Sequence, residues 1–194
     1  MIVPQLARRF PAAQLICAGL VIAAVGFAVL TQIDRATPLG VIVTGSVIYS
    51  LGVSPVVILA TDIIVGSAPV ERAGAASAIS ETSSELGGAL GIAILGSIGT
   101  AVYRTRMAAA MPNGVPSDVG EIARGTLGGA TAIAQRLPGQ LGDALLGTAR
   151  DAFAQAFVAT AAVNAVLVLA TAIAATLLLR HPQGARRANE GSAT

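Results

Sequence analysis

Four long apolar runs, residues 14–33, 39–61, 71–103 and 151–179, decide what this chain can fold into. A helix rises 1.5 Å per residue, so about 20 apolar residues cross the ~30 Å hydrocarbon core of a bilayer. Each run reaches that length. The first three are joined by short connections, which force successive helices to run antiparallel. Composition agrees: 54% of the residues are hydrophobic and 11% charged, against about 25% charged in soluble domains. The fold class read from the sequence is therefore all-α integral membrane, with four transmembrane helices.

Several functions are excluded early. A formal charge of +2 is too small for a nucleic-acid partner. Cys17 is the only cysteine, so neither an intramolecular disulfide nor a cysteine-rich metal site can form. His181 follows the last apolar run in an Arg-rich tail and reads as solvated. There is no nucleophile–base set, metal-ligand cluster or phosphate-binding glycine loop, so no enzymatic reaction and no cofactor is expected. Arg8 and Arg9 before residues 14–33 mimic a secretory signal. That run is longer than a signal core and no small-residue cleavage site closes it, so it reads as the first spanning helix after a lead at residues 1–13.

The charged turn Asp34-Arg35-Ala36-Thr37-Pro38 leads into the second run, which holds Gly45, Gly52 and Ser54-Pro55. Proline is tolerated in a membrane helix, where neighbouring groups re-satisfy the freed carbonyl, and a kink is predicted at Pro55. Asp62, at the far end of this run, reads as a loop or capping residue and is a secondary site candidate. Asn164, near the middle of the last run, reads as an interhelical hydrogen bonder and is the other secondary candidate. Residues 104–150 are polar, but Val119, Ile122, Ala123 and Leu127, then Ile133, Leu137, Leu141 and Leu145, recur at near-helical spacing. Two short amphipathic helices suit that pattern. Residues 180–194 read as a disordered polar tail.

The third run carries the chemistry. It is predicted to start at Glu71, behind Pro69, with an acid at the positive helix end. Glu81 and Glu85 stand one turn apart within it. Stepping 100° per residue, Gly74, Ser77, Ser84, Glu85, Gly88 and Gly99 share the face of Glu81, while Ile79, Leu86, Leu90 and Ile94 lie opposite, on a side suited to lipid. Ionisable groups at bilayer depth almost always face protein or water. Carboxylates held in low dielectric beside a like charge exchange protons readily. Gly74, Gly87, Gly88, Gly91, Gly96 and Gly99 read as helix-packing residues. The other reading confines the spanning part to residues 86–102 and lays residues 72–85 along the interface.

Two stretches, Pro69-Val70-Glu71-Arg72-Ala73-Gly74-Ala75-Ala76-Ser77 and Ser80-Glu81-Thr82-Ser83-Ser84-Glu85-Leu86-Gly87-Gly88-Ala89-Leu90-Gly91, resemble the penultimate helix of EmrB/QacA-type transporters. These are fourteen-helix drug:proton antiporters of the major facilitator superfamily. Residues 104–150 resemble their last outer loop, and Asp151-Ala152-Phe153 the start of their final helix. Arg8-Arg9-Phe10 resembles a degenerate loop signature. The resemblance implies that the chain corresponds to the last four helices, as a carboxy-terminal fragment. Proton coupling and substrate contact would fall to Glu85, by its Glu-Leu-Gly context, and to Glu81. It also implies the proton gradient as energy source, a small lipophilic and often cationic substrate, and the remaining helices as partners within the lipid bilayer of the plasma membrane.

Both termini are expected in the cytoplasm. Arg8, Arg9, Arg72, Arg180, Arg186 and Arg187 lie on one side, and Arg35, Arg104, Arg106, Arg124, Arg136 and Arg150 on the other. Arg124 and Arg136 lie far from the helix ends, where charge counts for less. The alternative is a small four-helix membrane protein that associates with or regulates another membrane protein without transporting.

Overall fold

The computed structural model describes residues 10–34 and 37–190, with side chains to residue 177. Met1, Arg8, Arg9 and Arg35 lie outside the described residues, as do the side chains of Arg180, His181, Arg186 and Arg187. Four helices are long and apolar enough to cross a membrane. They are α1 (Ala12–Leu30), α2 (Leu39–Gly66), α3 (Ala73–Ala110) and, after the short helices α4 (Ser117–Gly125) and α5 (Leu127–Ala134), α6 (Gly139–Glu190). No strand occurs among the described residues.

Helix ends differ from the sequence reading in ways that local chemistry explains. After Pro69, Val70–Arg72 forms a 3-10 turn, closed by Arg72 N–H donating to Pro69 O at 2.8 Å, and α3 proper begins at Ala73. Glu71 thus sits in the turn that feeds the positive end of α3. No breaker follows Tyr103 until Pro112, and α3 runs to Ala110, about 57 Å of helix. That exceeds the hydrocarbon core and requires tilt or projection. α2 continues past Thr61 to Gly66, so Asp62 lies inside a helix and not in a loop. It also passes unbroken through Pro55, with Ser54 Oγ donating to Ser50 O at 2.7 Å. The second predicted amphipathic segment is divided by Pro138: Ile133 belongs to α5, whereas Leu141 and Leu145 already belong to α6. The tail read as disordered carries α6 on to Glu190.

The described chain forms two compact units, and α1, α2, α3 and α6 contribute to them in segments. In the first, α1 pairs with α2 through glycines. A Cβ on Gly19 would lie 2.6 Å from Gly52 O, and one on Gly26 would lie 2.5 Å from Tyr49 N and 2.9 Å from Gly45 O. Only glycine permits such an approach. Phe27 and Tyr49 meet beside this seam, ring centroids 4.6 Å apart. Ile16, Leu20, Leu59 and Ala172 form the apolar cluster, and Cys17 Sγ lies 3.1 Å from Thr176 Oγ1.

In the second unit, α4 and α5 pack with the end of α3 and the start of α6 around Met107 and Leu145, both fully buried. One extended residue, Thr126, separates the two short helices, and its side chain caps α5 by accepting from Gly129 N–H at 2.9 Å. Gly129 allows the tight return: a Cβ there would fall 2.5 Å from Ile122 O. Ala123 is fully buried while Ile122 is 55% exposed, so the apolar face centres on the alanine. Tyr103 Oη donates to Ala123 O at 3.0 Å in the interior and ties α4 to α3. Leu145→Ala should therefore lower stability by about 2–5 kcal/mol, read as a fall in the thermal midpoint of the purified chain. Tyr103→Phe should cost about 1 kcal/mol.

Candidate functional site

The site is built on α3 because Ala, Ser, Thr and Glu dominate its first half without a breaker. Side-chain hydroxyls fold back onto the helix: Thr82 Oγ1 donates to Ala78 O at 2.8 Å and Ser84 Oγ to Ser80 O at 3.0 Å. These bonds satisfy hydroxyls without a partner helix. Glu81 and Glu85 are both exposed, and neither has a hydrogen bond or ion pair among the described residues. Neighbours four apart on a helix sit about 5–6 Å apart at Cβ, so the pair forms one acidic patch.

Exposure extends over most of α3. Only 6% of its most apolar window is buried, against 39% for α1. Leu86, Leu90 and Ile94 on the aliphatic side are more than half exposed. On the glycine side a Cβ at Gly74, Gly87, Gly88, Gly91 or Gly96 would meet nothing within 4 Å. Gly99 alone of the six is approached, by Thr160 Cγ2 at 3.3 Å from its would-be Cβ.

Two clefts frame the remaining candidates. One, of about 370 Å³, lies where α2 faces α3; Val56, Val57, Ala60, Thr61 and Ile64 line one wall and Ile79, Ser80, Ser83 and Ser84 the other. Ile79, placed on the lipid side by its helical phase, thus borders α2. The other cleft, of about 570 Å³, gathers Thr31 and Asp34 beyond α1, Arg106 of α3, and Asp151 and Gln155 of α6 along a largely apolar wall. Asp34 is held by its own turn, accepting from Thr37 Oγ1 at 2.7 Å. Sequence reasoning treated Asp34 and Asp151 as turn and helix-start residues. The signal that groups them with Arg106 is their shared position at the ends of three apolar runs, 14–33, 71–103 and 151–179.

Neither cleft is lined by Glu81, Glu85, Asp62 or Asn164. Asp62 is exposed on α2, and Asn164, half-buried on α6, has a polar partner. The structure does not bring these two together with the glutamates into one cavity.

Four long apolar helices, two of them far longer than a bilayer is thick, define a multi-pass α-helical membrane protein. Comparison with known proteins sharpens the class. The chain is 37% identical over 179 residues to the multidrug efflux pump LfrA of Mycolicibacterium smegmatis, a match covering 92% of this chain and 35% of the pump. It is 28% identical over 178 residues to the tetracenomycin C resistance and export protein of Streptomyces glaucescens, covering 89% of this chain and 33% of that protein. Over 95 residues, 48% of this chain and 18% of the relative, it is 39% identical to the methyl viologen resistance protein SmvA of Salmonella typhimurium. No family model and no solved structure matches. These homologues are multidrug efflux pumps of the major facilitator superfamily, and the first two match about nine-tenths of this chain. It spans about a third of the length of the first two relatives.

Proposed function

We propose that this chain is the carboxy-terminal four-helix part of a proton-coupled multidrug exporter and acts with further helices, in the same or another chain. The observation that carries this reading is the bare face of α3. Glycines that would let a helix approach closely, and two exposed carboxylates, are presented to no element among the described residues. Charged groups at bilayer depth need protein or water opposite them, and alternating access needs two bundles around a shared site. The efflux relatives, whose length is about three times that matched here, contain enough chain to supply the second bundle.

In this reading the proton gradient drives export of small lipophilic compounds, cationic ones included, from the cell across the plasma membrane. No enzymatic reaction and no cofactor is involved. Glu85, with Glu81 one turn away, exchanges the proton. Asp62 and Asn164 are the secondary candidates. Both termini lie in the cytoplasm and the α4–α5 region outside, which the distance of Arg124 and Arg136 from the apolar runs 71–103 and 151–179 favours.

The test is complementation in a host stripped of its own exporters. The chain is expressed alone and together with the amino-terminal two thirds of LfrA, and extrusion of a lipophilic cationic dye is followed. Extrusion should require both pieces and should stop when the proton gradient is collapsed. Extrusion by the chain alone would overturn the proposal, as would none from the two pieces when they co-purify.

A further inference from the structure

The connection between α3 and α4, Met111-Pro112-Asn113-Gly114-Val115-Pro116, is held at both shoulders and bare at its apex. Met111 and Val115 pack against the cluster around Met107 and Leu145. Asn113 and Gly114 form the turn between them, and both are exposed. Gly114 has φ +96°, a left-handed value that favours glycine, as the second central position of a type II turn demands. Among the described residues the Gly114 N–H donates no hydrogen bond and the Asn113 side-chain amide has no partner. Both groups are open to water.

Side by side, these two groups define a reaction. The side-chain carbonyl of an asparagine lies where attack by the following backbone nitrogen closes a five-membered ring. Three features of folded proteins normally hinder that closure: a hydrogen bond that occupies the nitrogen, a Cβ on the next residue that crowds it, and burial that keeps out the water needed to finish the reaction. None of the three operates at Asn113. The other asparagines of the chain, Asn164 and Asn189, both lie in α6 and are followed by Ala165 and Glu190. There the next nitrogen carries a Cβ beside it and is committed to the helix ladder.

We propose that Asn113 is a site of spontaneous deamidation through a succinimide. The Gly114 nitrogen loses its proton to hydroxide and attacks Cγ of Asn113. The N–Cγ bond forms, the Cγ–Nδ2 bond breaks, and ammonia leaves, taking a proton from water. Water then opens the ring at one of its two carbonyls. Opening at Cγ leaves an aspartate; opening at the main-chain carbon leaves an isoaspartate, in which the chain runs on through the side chain. In sum, an amide and one water become a carboxylic acid and ammonia. Either product places a new negative charge just before α4, whose positive end begins at Ser117. The isoaspartate also adds one methylene to the main chain between Met111 and Val115, and so slackens the tie that holds α4 against the buried cluster. None of this depends on the transport reading.

The whole chain in phospholipid nanodiscs is incubated in water enriched in heavy oxygen, at mildly acid and mildly alkaline pH, and its peptides are mapped by mass. Heavy oxygen is expected at residue 113 and not at Asn164, with a rate that rises roughly tenfold per pH unit, as for a nucleophile far below its own pKa. Part of the product should accept a methyl group from a methyltransferase specific for isoaspartate. Asn113→Gln, whose ring would need a further atom, should lose the label. Gly114→Ala should slow it about tenfold or more, because alanine crowds the nitrogen and resists a left-handed backbone.

A free peptide of residues 108–118 supplies the rate of the unrestrained sequence. Conversion of the peptide with none in the chain would overturn the proposal, since the fold would then hold the nitrogen away. So would aspartate as the sole product, which marks direct hydrolysis without a ring, or label at Asn164 to the same extent as at residue 113.

Discussion

Gly52→Leu is expected to separate α1 from α2 and to be among the most destabilising single changes in the chain. The would-be Cβ of Gly52 lies 2.5 Å from Gly19 O and 2.9 Å from Ala23 Cα, so it meets backbone, which cannot rotate away. Overpacking a close interior typically costs about 1–3 kcal/mol and more where nothing yields. Hydrophobic force offers no compensation, because lipid tails are as apolar as leucine. The chain has no tryptophan, and in a Tyr103→Phe background tyrosine emission comes from Tyr49 alone. Tyr49 lies against Phe27 at the seam, and its emission should report helix separation as detergent is titrated. The unfolding midpoint should fall sharply for Gly52→Leu. Gly88→Leu in the isolated chain should leave it unmoved, since nothing lies within 4 Å of that position. Equal shifts for the two would mean that the seam is not closed by glycine.

That contrast also shows what the sequence could and could not reveal. The four spans were legible because hydropathy over about 20 residues is a long signal that no local feature masks. Helix ends were less so. Arg104 and Arg106 after Tyr103, and Arg150 before Asp151, mark where the apolar runs end but not where the helices end, and the structure continues α3 and α6 into the α4–α5 region. Within the described chain, the close glycine packing between long helices falls on α1 and α2. Gly87 and Gly91 are bare among the described residues, whereas Gly19 and Gly26 repeat at seven and face Gly52 and Gly45, also seven apart. Equal spacing on two helices joined by a short turn is the missed signal, because antiparallel register then brings both pairs together. The glutamates were legible as residue types out of place in an apolar helix. Their surroundings were not: both side chains are exposed among the described residues.

Glu85→Gln is the other change of large expected effect, and it acts on transport while sparing the fold. Glutamine keeps the length and hydrogen-bonding capacity of the side chain but cannot take up or release a proton. Glu85 is exposed and makes no ion pair among the described residues, so the isolated chain should keep its helical content and unfolding midpoint. In a complete transporter the same change removes the proton site. Loss of a positioned proton-transfer group typically costs a factor of roughly 10²–10⁴, and export driven by a pH gradient should fall by about a hundredfold or more. Movement of dye down its own gradient should persist, because the path and the packing glycines are intact. Glu81→Gln supplies the comparison: it stands one turn nearer the helix start and should reduce gradient-driven export less. Unchanged export in Glu85→Gln would remove the carboxylate from the coupling step. Loss of downhill movement as well would recast Glu85 as a substrate contact, because a group that only exchanges protons is not needed when the substrate gradient supplies the driving force.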